Sequence, residues 1–206
     1  DPEPFDGLFT QGMVCHETYK DNNNNWLSPE EVETNDGKIY HLKNKPMEKI
    51  KVGPSESMSK SKKNTIDPQN IISNYGADAV RFFILSYSPP EKDVQCSEQV
   101  MISSFKFVQK FWMLHKMILK LKIDTKNINE PKNREFDIFT NQIIEKITRN
   151  LENFHYNVII ANIHEIYNFL SKSIKNINDK EKLIKNYIKI LKIMSPVMPH
   201  LINECL

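Results

Sequence analysis

The spacing of apolar residues changes near residue 65. Before that point they come in short alternating stretches; after it they recur every three or four positions. Residues 8–18 (LFTQGMVCHET) mix apolar and polar side chains around one glycine and predict a strand or strand-like entry. The four-asparagine run at 22–25 predicts an exposed loop tip. Residues 37–52 carry KIYHL and EKIKV, with Gly37 at the start and Gly53 just beyond, and predict a small β module. Asp67-Pro68 then supplies an N-cap and a first helical residue. Ile71, Ile72 and Tyr75 give a short apolar face, closed by Gly76. Residues 77–85 start a second helix, and Pro89-Pro90 ends what precedes it.

Ser97 is a candidate N-cap for a long helix whose expected apolar face is Met101, Phe105, Val108, Trp112, His115 and Leu119. Residues 120–134 are polar, contain Pro131 and read as a connection. Helices are expected over 138–151, over 158–170 with Ile159, Ile163, Ile166 and Leu170 on one face, and over 181–194 with Leu183, Ile184, Tyr187, Ile188 and Leu191. Ser195-Pro196 breaks the last of these, and Pro199 starts another. Helices joined by short polar links predict an antiparallel bundle. The expected fold is therefore mainly α: a small mixed α/β part over 1–64, connecting helices over 65–96, and a helical bundle over 97–206.

Composition changes this picture little. A net charge of +2 on 206 residues does not by itself point to a polyanion, so only local basic patches bear on partners. Three cysteines, far apart and without a CxxC pair, suit neutral thiols in a reducing, cytoplasmic setting, and no apolar run is long enough to span a bilayer. The first Met is Met13 and the last residues stop inside a helix-like pattern, which reads as a piece of a longer protein.

Candidate chemistry concentrates in SMSKSKKN, residues 57–64. On composition it is either a solvated lysine loop or a loop that binds a triphosphate, its amines neutralising charge on departing pyrophosphate and its hydroxyls donating hydrogen bonds. It lacks the glycines of a P-loop. Cys15 and His16 are adjacent on an expected strand and face opposite ways, so a shared metal ion is not expected. His115, His155, His164 and His200 have no second ligand at i+4 and are expected to be structural or exposed; Phe105, Phe107, Phe111 and Trp112 are expected in the core. Lysine rows at 106, 110, 116, 120, 122 and at 172, 175, 182, 185, 189, 192 are solvated faces or phosphate contacts.

Met58-Ser59-Lys60-Ser61 resembles the last four places of the second signature of class I aminoacyl-tRNA synthetases, Lys-Met-Ser-Lys-Ser. Around it, KKNTIDPQNIISNYGADAVRFFIL, SPPEKD, EPFDGLFTQGMVCHETYKD and WLSPEEV look like the leucyl family, as do LENFHYNVIIANIHEIYNFL and IMSPVMPHLINECL further on. Isoleucyl, valyl and methionyl relatives usually continue with Gly-Asn, where this chain has Lys62-Lys63-Asn64. The resemblance implies the end of a Rossmann-type catalytic domain with a small β insertion, then the signature loop, then a helical domain of the anticodon-binding type. It implies ATP contacts from Met58, Ser59, Lys60 and Ser61, with Lys60 the catalytic lysine on the phosphates, and tRNA contacts from Lys62 and Lys63. Implied partners are leucine, ATP with Mg2+ bound to it, tRNA(Leu) and an upstream half of the synthetase. Two departures stand out: Ser57 occupies the place of the first signature lysine, and Cys96 that of an aromatic residue. No His-Ile-Gly-His-type first signature is present, so the chain alone is expected to be inactive. The alternatives are a non-catalytic RNA-binding or assembly module and a degenerate fragment.

Overall fold

The computed structural model describes residues 4, 7–34, 40–87, 89–122, 130–177 and 179–206. The chain divides into two compact units, residues 1–71 with 91–98 and residues 72–90 with 99–206.

The first unit is built on a central strand, β1 (Val14–Lys20). The expected strand over 8–18 thus begins later: Leu8 is 91% exposed and, among the described residues, no strand pairs with it. The asparagine run forms the turn to β2 (Trp26–Leu27), where Asp21 Oδ1 accepts the N–H groups of Asn23 and Asn25 at 2.8 Å. A single 3-10 turn (Pro29–Glu31) leads to β3 (Val32–Thr34), which pairs antiparallel with β4 (Tyr40–Leu42), itself paired with β5 (Lys45–Lys49). The expected β module is present; Gly37, its expected start, lies outside the described residues. β6 (Lys51–Ser57) runs antiparallel to β1, with an irregularity between Glu17 and Thr18 where Pro54 is skipped. Tyr19, Leu27 and Val32 form a small core with Tyr40, Leu42 and Ile50.

β7 (Val94–Gln95) pairs parallel with β1 at Val14 and Cys15. Here Gly12 matters, because a Cβ on it would stand 2.3 Å from the Lys92 carbonyl oxygen and 2.8 Å from the Asp93 nitrogen. Backbone cannot yield as a side chain does. Gly12→Ala is expected to lose the Val94 N–H to Met13 carbonyl bond (2.8 Å) and to cost about 2–3 kcal/mol. Urea unfolding of the chain, followed through the Trp26 environment, checks this.

The helical unit follows the capping signals. α1 (Pro68–Tyr75) starts where Asp67 Oδ1 accepts the Gln69 N–H at 2.9 Å, and Gly76, at φ 80 and ψ 152, ends it and opens α2 (Ala77–Ser86). α3 (Glu98–Leu119) begins just after Ser97. Its buried face is the expected one only in part: Met101 and His115 are buried as expected, Ser104, Phe107, Phe111, Leu114 and Ile118 complete the stripe, Phe105, Val108 and Trp112 are half-buried, and Leu119 is 70% exposed. Two overlapping apolar stripes wind round this helix, and periodicity alone does not choose between them. α4 (Glu130–Glu152) starts eight residues before the expected 138, taking Pro131 into its first turn, where the missing N–H would have had no helical partner. Part of the expected connection, 123–129, lies outside the described residues.

α5 (Tyr156–Ser173) buries Ile159, Ile163, Ile166 and Leu170 as expected. α6 (Lys180–Met194) is capped by Asp179, whose side chain accepts the Lys182 N–H, and buries Leu183, Tyr187 and Leu191. Ile184 and Ile188 are 47% and 37% exposed, and Asn186, Ile190 and Met194 complete the buried stripe instead. α7 (Pro199–Cys205) starts at the expected proline. The unit's core joins α2 to α7, with Phe111, Phe136, Ile147, Ile163, Leu170 and Ile190 fully enclosed. Each such side chain contributes about 1.5–3 kcal/mol relative to exposure.

Candidate nucleotide-binding loop

SMSKSKKN leaves the sheet at the end of β6 and returns to the chain before α1. Ser57 is the last ladder residue, opposite Cys15, and Met58 is held by its N–H on the Val14 carbonyl at 3.2 Å. Beyond Met58 the backbone turns sharply. The Ser59 hydroxyl accepts the Lys62 N–H at 3.3 Å and lies 2.9 Å from the Ser61 hydroxyl. The Lys63 N–H donates to the Lys60 carbonyl at 3.3 Å. Lys63 has φ 53, the left-handed region that favours glycine, so a Gly at this place would meet the same backbone requirement with less strain.

The hook is closed by Asn64, which is 0% exposed. Its Oδ1 accepts the Ser59 N–H at 2.8 Å. Its Nδ2 faces the carbonyls of Glu56 (3.2 Å), His16 (3.3 Å) and Ser57 (3.4 Å). A backbone N–H on one side and carbonyls on the other fix the amide orientation, since neither partner can exchange roles. The sequence gives no signal of this burial, since Asn64 stands there as a polar residue after two lysines.

The six expected site residues stand together on this loop, in different electrostatic settings. Lys62 places its ammonium on the Glu56 carboxylate. Lys63 is exposed, and its charge adds to the Ser28 backbone and hydroxyl hydrogen bonds that hold the Glu31 carboxyl below its ordinary range. Lys60 is exposed at the tip and has no ion pair among the described residues. Ser61 is exposed beside it, and Met58 and Ser59 are half-buried. The Ser57 side chain is exposed and takes no part in the Asn64 contacts, which use its carbonyl.

The remaining candidates sort as structure. Cys15 and His16 lie side by side on β1, and among the described residues no group of three or more His, Cys, Asp or Glu is placed to hold a metal ion. The three cysteines are free, with burial raising the Cys96 thiol and pushing Cys205 up to about 11. His115 is buried against the Tyr187 hydroxyl at 3.0 Å, and burial lowers its pKa. His164 packs edge-on to Phe82 and Phe107. His200 lies on Asp78 at 2.9 Å. Phe107 and Phe111 are core, whereas Phe105 and Trp112 are half-buried. No helix among the described residues is long and apolar enough to cross a membrane.

A family model for class I tRNA synthetases (I, L, M and V) matches residues 50–97, the stretch that contains this hook. A second, for the anticodon-binding domain of tRNA ligases, matches residues 133–206. The leucine–tRNA ligase of Rickettsia bellii is 40% identical over 203 residues, covering 98% of this chain and 24% of that protein. The chain belongs to the leucyl-tRNA synthetase family. The Bartonella tribocorum leucine–tRNA ligase is 38% identical over 213 residues, again covering 98% of the chain and 24% of the relative. The chain thus spans about a quarter of the length of the leucyl-tRNA synthetases it matches. Among solved structures, a LeuRS of Agrobacterium radiobacter K84, in a ternary complex with tRNA and LeuAMS, shares the fold with a TM-score of 0.64 and 22% identity, over 73% of this chain and 20% of that one.

Proposed function

We propose that the chain supplies the signature loop and helical domain of a cytoplasmic leucine–tRNA ligase, with Lys60 acting on the phosphates of ATP. The observation that carries this is the hook itself, which holds Met58 and Ser59 against the sheet and leaves Lys60 as an uncompensated cation at its tip. In the reaction, a leucine carboxylate oxygen bonds to the α-phosphorus of Mg2+-bound ATP, and the bond to the bridging oxygen breaks. Its electron pair leaves with pyrophosphate, giving leucyl-adenylate. The Lys60 ammonium neutralises charge that develops on the departing phosphates, and the Ser61 hydroxyl is exposed beside it to donate a further bond; no covalent enzyme intermediate is required. Transfer of the leucyl group to the terminal ribose of tRNA(Leu) follows. Exposed Lys106, Lys110, Lys185, Lys189 and Lys192 on α3 and α6 suit contacts to the tRNA backbone.

This sequence holds no His-Ile-Gly-His-type first signature, so the other half of the nucleotide site must come from elsewhere. The isolated chain is expected to give no leucine-dependent ATP–pyrophosphate exchange. Grafted into the Rickettsia bellii enzyme in place of the quarter it aligns with, it is expected to support exchange. Robust exchange by the isolated chain overturns the division of the site. A folded but inactive graft overturns the catalytic reading; if the isolated chain then still retards tRNA in a gel at low salt, the exposed lysine rows favour a non-catalytic RNA-binding module instead.

A further inference from the structure

The loop's most buried residue is neither a lysine nor a serine. Asn64 is fully enclosed while Lys60, Ser61 and Lys63 around it are exposed. Its carboxamide makes the only side-chain tie, among the described residues, from the return limb of the hook to both β1 and β6: the His16 carbonyl on one strand, the Glu56 and Ser57 carbonyls on the other. On its other side it binds the Ser59 N–H, one residue before Lys60. This one amide ties the hook to itself and to both strands at once, beside the Met58 and Lys63 N–H bonds, the Ser59 hydroxyl contact and the Lys62–Glu56 pair. Its four partners are backbone atoms, so side-chain changes at Ser57 or Glu56 leave the anchor in place.

We infer that Asn64 is a positioning residue for Lys60, fixing where the signature loop presents its cation. The inference rests on the proposed role of Lys60. A loop free to swing must give up more conformational freedom to reach the same phosphates, and a displacement of about 1 Å can cost about 100-fold in rate. Asn64→Asp is the sharpest probe. It is nearly isosteric, keeps an acceptor for Ser59, and turns an oxygen towards three carbonyls that need a donor.

Two measurements test this. In limited trypsin digestion of the 206-residue chain, Asn64→Asp is expected to speed cleavage after Lys60, Lys62 and Lys63 by about tenfold, with cleavage at the remaining lysines unchanged. In the Rickettsia graft, it is expected to lower kcat for adenylation about 100-fold while KM for leucine stays within about twofold. Asn64→Ser, which retains one donor and one acceptor, is expected to fall between wild type and Asn64→Asp, and it replaces that variant should Asn64→Asp not fold. Lys60→Ala in the same graft separates the failures. If Lys60→Ala is impaired but the Asn64 variants cleave and turn over as wild type, the positioning role is overturned and the proposed function stands. If Lys60→Ala is unimpaired, both fall.

Discussion

Lys60→Ala in the graft is expected to slow leucine-dependent ATP–pyrophosphate exchange by about 10²- to 10³-fold, the cost of removing one preorganised group aimed at developing charge. The loop contains three lysines, and the effect is assigned to Lys60 on its place in the signature and, against Lys62, on electrostatic grounds. Lys62 is already spent on Glu56, and Lys63 lies close enough to Glu31 to help depress its pKa. The Lys62 ammonium cannot approach an incoming phosphate without giving up its carboxylate, whereas Lys63 has no ion pair among the described residues and stands back from the signature by two positions. Lys60 gives up only water. The same reasoning orders the variants: Lys60→Arg retains most of the rate, and Lys62→Ala has a smaller effect than Lys60→Ala, because it removes a charge that Glu56 had cancelled. On the proposed role of these groups on the phosphates, KM for leucine is expected to hold while kcat falls. A Lys60→Ala rate within about twofold of wild type removes Lys60 from the mechanism.

The place of Ser57 in this scheme is mild. Its side chain is exposed at the end of β6, and the hook is built from its carbonyl, not its hydroxyl. A lysine there would add a cation near the loop without rearranging it. The departure from the family pattern therefore removes charge and leaves the geometry intact, so a strong loss of rate on Lys60→Ala is consistent with a loop whose tip lysine carries the work.

What was legible in the chain depended on whether the signal was local. Asp67-Pro68, Gly76, Ser195-Pro196 and Pro199 mark helix ends through backbone chemistry within a residue or two, and each ends or starts a helix as expected. Pro131 misled because the same residue both starts helices and interrupts them; only the burial of Asn133 and Phe136 in the turns that follow decides between the two. The faces of α3 and α6 match the expected ones only in part, for a different reason. Leu119, Ile184 and Ile188 are apolar and at helical spacing, but the neighbours that would cover them are set by other helices. The six signature residues were legible as a motif; which of the lysines is paired was not, because the ammonium of Lys62 reaches back to Glu56 only once the strand and the hook fold against each other. Asn64 and Gly12 are further cases. Each looks like loop filler, and each is held by backbone distant in sequence.

Asp78→Ala is expected to destabilise the helical unit by about 2–4 kcal/mol. Asp78 is in the first turn of α2, yet its carboxylate, 8% exposed, serves α7. Oδ2 accepts the Leu201 N–H at 2.6 Å; Oδ1 accepts the His200 N–H at 3.4 Å and contacts His200 Nδ1 at 2.9 Å. His200 and Leu201 are the second and third residues of α7, the N–H groups that an N-cap side chain ordinarily satisfies. The residue at that cap is Met198, which has no such group. An aspartate 120 positions earlier in the chain supplies it, and its charge also suits the helix dipole. Arg81, one turn on, donates to the carbonyls of Pro196 (2.5 Å) and Val197 (3.1 Å), so α2 holds both the turn before α7 and the first turn of α7 itself. Alanine at 78 leaves two amide protons without a partner at a poorly hydrated junction, whereas Asp78→Asn keeps an acceptor and is expected to cost about 1 kcal/mol. The imidazole of His200 is 73% exposed, so His200→Ala is expected to change stability by less than about 0.5 kcal/mol, which separates the amide contacts from the ion pair. Urea unfolding followed by helical circular dichroism measures all three. An Asp78→Ala midpoint equal to wild type, with an unchanged slope, sinks the assignment of the cap to this carboxylate.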